Sequence, residues 1–410
     1  MLCLMRRHAG IRRRMSQRKI IGVKWVYRAK QNADGSLNKL KARLVVKGFS
    51  QRYGLDYMET FALIYVDQPQ GFKVTGKEDM VYKLNKALYG LKQAPRACYS
   101  RIDGYLISLG FERSISEPTL YVKKKKAKTQ LIVSLYVDDV LVTGGDQAML
   151  VDFKTKMQQM FEMSDLGLMT YFLGMEVTQT QKGICLSQKA FAVKILNKFS
   201  MENRKATSTP VAVGEKLSSQ GIFEEVCEST YRSLVGCLLY LIATRPDIMY
   251  AASLLSRFMH CCNESHFKAT KRVLRYIKGT LSYGMLFSKA EHLQLVGYTD
   301  SDWVGSMDDM KSTSGYVFSL GSAMFCWSSR KQSLVAQSKA KVEYVAAVNQ
   351  AIWLRKIMSD LNLDVHGAIK IYCDNKSVVA IAKKSYFSWE NQAFQHKTPC
   401  CSRNGAILGS

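Results

Sequence analysis

The sequence predicts an α+β protein of several domains that ends in an α/β layered unit. Three observations carry this. The N-terminal half holds paired apolar or alternating runs separated by turn residues, the mark of β-hairpins. Tyr231 to Phe258 and His266 to Lys278 are helical in period instead, the first broken at Arg245-Pro246. From Leu293 onward come three strand-like runs, a helix, a strand and a further helix, the order of a layered α/β unit. At 410 residues the chain exceeds what one core ordinarily serves.

Taken in order, Met1 to Lys19 is rich in arginine, free of acids and without amphipathic pattern, and stays unassigned. Ile20 to Lys30 alternates, Asn32-Ala-Asp-Gly-Ser36 turns, and Lys39 to Lys47 alternates again. That is a hairpin with one apolar and one basic face, Lys39, Lys41, Arg43 and Lys47 falling on a single side. Such a row is either solvated or placed to meet phosphates. Tyr57 to Met80 has little pattern, and Gln93-Ala-Pro-Arg96 then leads into an amphipathic helix from Ala97 to Leu109. Lys123 to Lys128 reads as a basic turn, and Leu131 to Thr143 as a hairpin with Asp138-Asp139 at its tip. A helix from Gln147 to Met160, a hairpin of Met169–Thr178 with Gly183–Leu186, and a helix from Lys189 to Lys198 follow. A polar linker runs from Thr207 to about Glu228. The later helix His266 to Lys278 carries Lys268, Lys271, Arg272, Arg275 and Lys278 on its polar side. The final unit places strands near 293–299, 313–320, 323–329 and 368–373, a helix near 336–359 and another from Ser377.

Lys plus Arg total 59 against 33 Asp plus Glu, a net charge of +26 that repels itself unless a polyanion screens it. Nucleic acid is therefore the expected partner. Apolar residues at 47% and only 6 prolines exclude a disordered tail. Of the 11 cysteines, Cys98, Cys237, Cys326 and Cys373 lie in apolar runs and read as buried thiols of a reducing compartment. No apolar run reaches membrane-spanning length, so the expectation is an intracellular protein, cytoplasmic or nuclear, with no membrane partner.

Two acidic sets carry candidate chemistry. Asp138-Asp139 is either turn chemistry or a pair of carboxylates for the Mg²⁺ that clamps a transferring phosphate. Asp300 at the end of a strand, Glu343 within a helix and Asp374 closing another strand are each surface acids by default. Together they occupy positions that can converge on Mg²⁺, with Mn²⁺ as a substitute.

These residues sit in stretches with a recognisable order. They include Val23-Lys-Trp-Val-Tyr27, Lys41-Ala-Arg-Leu-Val-Val-Lys-Gly-Phe49, Leu88-Tyr-Gly-Leu-Lys-Gln-Ala-Pro-Arg96 and Tyr136-Val-Asp-Asp139, followed by Tyr171-Phe-Leu-Gly-Met-Glu-Val177, Leu239 to Asp247, Tyr298-Thr-Asp-Ser-Asp-Trp303 and Tyr372-Cys-Asp-Asn375. From about 20 to 385 the chain resembles the reverse transcriptase and ribonuclease H portion of Ty1/copia-type retrotransposon polyproteins. The resemblance implies incomplete fingers and palm over 20–205, a helical thumb or connection over 206–290 and an α/β ribonuclease H-like domain over 291–385, with 386–410 a divergent tail. It implies that Lys41 and Arg43 hold a nucleoside triphosphate, Gln93 lies under the incoming nucleotide and Gly174 belongs to the hairpin that grips the primer. Asp138 and Asp139 would be polymerase metal ligands, and Asp300, Glu343 and Asp374 ribonuclease H ligands. Primer-template or RNA–DNA hybrid would be the partner, with deoxynucleoside triphosphates where synthesis survives.

Three departures bear on activity. The family's block between Glu59-Thr-Phe61 and Gln68-Pro-Gln-Gly-Phe72, with a palm strand and the first catalytic aspartate, is almost wholly missing. Asp56 and Asp67 do not replace it, so DNA synthesis is expected to be lost. Lys339-Ala-Lys341 stands where small hydroxyl residues and a glutamate are usual, and the last ribonuclease H acid dissolves into Lys397-Thr-Pro-Cys-Cys401. The expectation is an inactive polymerase with residual cleavage of hybrids, or else a non-catalytic nucleic-acid-binding remnant.

Overall fold

The computed structural model describes residues 9–13, 20–31, 37–54, 64–84, 88–126, 128–220, 226–289, 294–302, 305–332, 339–363, 368–374 and 407–409. The chain divides into two compact units, Met1–Leu150 and Val151–Ser410.

In the first unit, β1 (Ala9–Arg13), β2 (Ile20–Ile21), β5 (Tyr65–Val66) and β6 (Met80–Leu84) form a sheet of order β1-β6-β5-β2. Ile21, Val66, Tyr82, Leu84 and Leu91 bury its apolar side. β3 (Val23–Gln31) and β4 (Leu37–Val46) form the expected hairpin. Its register sets Arg28 opposite Lys41 and Lys30 opposite Lys39. Tyr27 and Leu40 are 72% and 71% exposed, so the core covers only the base of the hairpin.

The third sheet of this unit has the order β10-β9-β8-β7, from β7 (Glu112–Arg113), β8 (Leu120–Lys125), β9 (Lys128–Tyr136) and β10 (Asp139–Gly144). Tyr121, Leu131 and Val133 are its fully buried side chains. β10 is an edge strand among the described residues. The expected basic turn at Lys123 to Lys128 is mostly strand. Lys123 to Lys125 finish β8, Lys128 begins β9, and Lys126, at φ 50°, starts the reversal. Pairing with β9 overrides the poor strand propensity of lysine. α1 (Ala94–Ser108) begins with Pro95 in its first turn, where a missing N–H costs nothing. Its Cys98 is exposed, not buried as its apolar neighbours suggest, because the helix turns that position outward.

α2 (Gln147–Met160) begins in the first unit and ends in the second, which continues with a sheet of order β11-β12-β13-β14, formed by β11 (Tyr171–Phe172), β12 (Met175–Thr180), β13 (Gly183–Ser187) and β14 (Met285–Ser288). α3 (Lys189–Lys198), α4 (Glu228–Leu241), α5 (Met249–Ser256) and α6 (Glu264–Gly279) pack around Ile195, Tyr231, Leu234, Leu238, Leu274 and Ile277. The expected break falls between α4 and α5, where Pro246 starts a short 3₁₀ turn. Arg245 there is buried and clamps Asp247 at 2.7 Å and the Thr280 carbonyl at 3.0 Å, tying the break to the end of α6.

Five strands, ordered β17-β16-β15-β18-β19, complete the unit: β15 (Leu295–Ser301), β16 (Thr313–Leu320), β17 (Ala323–Lys331), β18 (Lys370–Cys373) and β19 (Ile407–Gly409). β15 runs parallel to β18, as a strand–helix–strand crossover requires. α7 (Lys339–Asp360) supplies that crossover and covers one sheet face through Ala347, Ala351 and Leu354 against Leu295, Phe318 and Ile371. α5 lies along the β17 edge, where Ser253 Oγ donates to the Ser329 carbonyl at 2.7 Å. A covered edge cannot recruit another chain. The helix expected from Ser377 lies outside the described residues. No described helix is long and apolar enough to cross a membrane.

Candidate functional site

The acidic hairpin is a two-residue reversal, with Tyr136 opposite Asp139 and Val137-Asp138 at the tip. The residue in the left-handed region is Val137, at φ 52°, not either aspartate. The strained position therefore belongs to a β-branched residue that tolerates it poorly. Both Asp138 and Asp139 are exposed at the mouth of the turn.

Gln93 is buried just before α1. Gln51 Nε2 donates to Gln93 Oε1 at 3.0 Å, while Gln51 Oε1 accepts from the Lys92 amide at 2.9 Å. Gln93 Nε2 is left buried with no hydrogen-bond partner among the described residues, a donor that a bound polar group can use. The preceding Tyr89-Gly90 turn packs on the end of β4, the Val46 amide donating to the Tyr89 carbonyl at 2.9 Å. Gly90 has φ 98°, and any Cβ there would strike the Val46 carbonyl. Arg43 is exposed with its guanidinium 5.9 Å from the Tyr89 ring centroid. Lys41 lies in β4, and its side chain is outside the described residues.

Gly174 sits in the two-residue turn between β11 and β12, where Leu173 has φ 49° and Gly174 φ 83°, the angles of a type I′ hairpin. The Tyr240 hydroxyl of α4 donates to the Leu173 carbonyl at 2.9 Å and occupies the space a Cβ on Gly174 would need. Glu176 accepts from the Ala190 amide at 2.7 Å, capping the start of α3. The hairpin is thus pinned to two helices.

In the C-terminal sheet the parallel register pairs Thr299 with Cys373. Asp300 and Asp374, one step further, fall at the same end of neighbouring strands, and both are exposed. Alternation sets them on the face carrying Tyr298 and Tyr372, whose rings stack 5.3 Å apart. The opposite face, with Leu295 and Ile371, is the one α7 covers. The Ser301 amide donates to Asp300 at 2.7 Å. Glu343 lies in the first turns of α7, four residues before the buried Ala347, and its side chain is outside the described residues.

Two exposed carboxylates on rigid strand ends suit a hard divalent cation such as Mg²⁺, while α7, which carries Glu343, covers the other face of the sheet. At the hairpin, Asp138 and Asp139 have no third carboxylate beside them among the described residues. Nor, among those residues, is any group of three His, Cys, Asp or Glu arranged to hold a metal ion.

Sequence reasoning passed over three residues that shape these sites: Gln51, Tyr240 and Val137. Gln51 and Tyr240 act through contacts distant in sequence, and no local pattern marks either. Val137 carried a legible signal, a β-branched residue where the hairpin must reverse.

Comparison with known proteins bears on all of this. The family model described as reverse transcriptase (RNA-dependent DNA polymerase) matches residues 11–64 and 62–213. The chain is 37% identical over 409 residues to the retrovirus-related Pol polyprotein from transposon RE1 of Arabidopsis thaliana, covering 90% of this chain and 28% of that protein. It is 35% identical to the corresponding polyprotein of transposon TNT 1-94 of Nicotiana tabacum, covering 89% of this chain and 31% of that one. A transposon Ty5-1 protein of Saccharomyces cerevisiae is 33% identical over 69% of this chain and 93% of its own length. Among solved structures, a foamy viral protease-reverse transcriptase in complex with double-stranded DNA aligns over 98% of this chain and 79% of its own, with a TM-score of 0.47 and 13% identity. The chain spans less than a third of the RE1 and TNT 1-94 polyproteins, yet the sequence matches leave its kinship clear: it belongs to the Ty1/copia-type retrotransposon Pol family, in the part that carries the reverse transcriptase.

Proposed function

We propose that this chain has lost DNA synthesis and keeps a Mg²⁺-dependent site, built from Asp300, Glu343 and Asp374, that cleaves RNA in RNA–DNA hybrids. The observation that carries this reading is the parallel register of β15 and β18, which makes Asp300 and Asp374 neighbours at one strand end. Bound Mg²⁺, or Mn²⁺ in its place, would activate water and offset charge on the leaving oxygen. The protein's own part is to hold hard oxygen donors on rigid elements and to orient the hybrid. Segments 20–205, 206–290 and 291–385 would be the fingers and palm, the connection and the ribonuclease H-like domain.

Loss of synthesis is supported at two points. β10 is a sheet edge among the described residues, where the family's missing strand would pair. The family model also matches in two pieces that meet at residues 62–64, beside the missing block. Asp138 and Asp139 have no third carboxylate beside them among the described residues, and catalysis of phosphoryl transfer is largely positioning and charge stabilisation. Lys41, Arg43, Gln93 and Gly174 would then be remnants of a nucleotide and primer site, with Gln93 Nε2 still an available donor.

The test is cleavage of a labelled RNA–DNA hybrid in Mg²⁺ by the purified chain. Asp300→Asn and Asp374→Asn should each lower the rate at least about 100-fold. Cleavage that survives both changes would overturn the site, and template-dependent extension of a primer abolished by Asp139→Asn would overturn the loss of synthesis. A second reading, binding without catalysis, is favoured by the net charge of +26, which attracts a polyanion whether or not anything is cut.

A further inference from the structure

We infer that the lysine-rich turn between β8 and β9 is a second phosphate-binding point, remote from Asp138-Asp139, that holds the backbone of a nucleic-acid strand. The inference rests on the reading of nucleic acid as partner and adds where, on the first unit, that partner is held.

The turn lies at the opposite end of β9 from Asp138-Asp139. Lys128 opens the strand and Tyr136, next to the acidic tip, closes it. Nine strand residues span roughly 27 Å at the usual rise. A phosphate held at the lysine turn is therefore not one near the acidic pair, and binding there positions a strand without touching chemistry.

The turn is also built against itself. Lys125 stands directly opposite Lys128, and Lys126 between them takes a left-handed φ of 50°. Like charges across a ladder and a lysine at positive φ both cost stability, and a bound anion offsets the first. The neighbouring cations are already engaged. Lys124 pairs with Glu112 at 2.7 Å, and Lys123 lies 5.6 Å from the Phe111 ring centroid. Lys125, Lys126 and Lys128 are exposed, and none of them takes part in an ion pair among the described residues. Three compact ammonium charges on a rigid hairpin suit a run of phosphates, which they meet as point charges without reading bases.

The experiment uses the full chain and a labelled hybrid of about 24 base pairs, RNA on DNA, with binding measured across salt concentration. A triple variant, Lys125→Gln with Lys126→Gln and Lys128→Gln, should reduce the slope of log affinity against log salt by about 2 to 3, near one for each phosphate no longer neutralised. The matching triple change to arginine should restore the slope, and the far-ultraviolet circular dichroism of both variants should match that of the wild type. A glutamine variant that keeps the wild-type slope while the wild type binds normally overturns this inference alone. An arginine variant that fails to restore the slope also overturns it. Displacement of the hybrid from the glutamine variant at a lower concentration of polyglutamate than from wild type supports it. Stronger displacement from wild type overturns it in favour of an acidic polypeptide. Failure of the wild type to bind the hybrid at any salt overturns both this inference and the nucleic-acid reading.

Discussion

Val137, and neither aspartate, takes the left-handed position in the acidic hairpin. Because a valine takes it, the turn gives up roughly 1 kcal/mol that an asparagine or glycine would not. Val137 is 75% exposed, so removing its methyls forfeits little burial. Val137→Asn is therefore expected to raise stability by about 1 kcal/mol in urea unfolding. His266 makes the opposite kind of prediction. It is fully buried, stacked on Phe258 with centroids 3.9 Å apart, and its Nδ1 accepts from the Asn263 amide at 3.1 Å in a capping box. Burial pushes its pKa below the usual histidine value, partly opposed by Asp308 and the Ser218 backbone. The folded chain resists a proton that the unfolded chain accepts. Stability is then complete above about pH 6.5 and falls as pH drops below it. Urea midpoints at about pH 7.5 and about pH 5.5 should show this fall, and His266→Gln should shrink the difference.

At the scale of elements, hydrophobic period was a good guide wherever an element decided its own fate. The helix at Lys189–Lys198 and the break at Arg245-Pro246 follow from local pattern alone. So does the adjacency of Asp300 and Asp374, because a strand–helix–strand unit returns its second strand parallel to the first. What period could not show is pairing. Lys123 to Lys125 look like a turn and become strand only through β9, and β14 joins the β11–β13 sheet from a distant part of the chain. Nor does sequence tell which face an acid takes, and Asp300 lies on the face opposite α7. Arg245 shows how much a joint between elements can matter. Its side chain is 4% exposed, bonds Asp247 and Thr280, and places its guanidinium 5.7 and 5.4 Å from the ring centroids of Tyr276 and Tyr283. Arg245→Met removes the cation and strands its partners, so a loss of about 3 kcal/mol is expected in urea unfolding.

Across the whole molecule, charge is the property that sequence gives most directly and structure distributes. Part of the basic face of α6 is used internally. Arg272 donates to Thr209, Arg275 to the Lys205 carbonyl and Lys278 to the Arg204 carbonyl, so these cations hold the preceding linker as well as facing outward. The β8–β9 hairpin instead sets Lys125 across from Lys128, and this has a consequence for handling the protein. Added electrolyte screens Lys125 from Lys128, which tightens the hairpin, and the same screening weakens any hold on phosphate. Folding and binding should therefore respond to ionic strength with opposite sign. Thermal midpoints are expected to rise between about 0.05 and about 0.3 M sodium chloride while hybrid affinity falls. A buffer that keeps the free chain sound is one in which it holds its partner least.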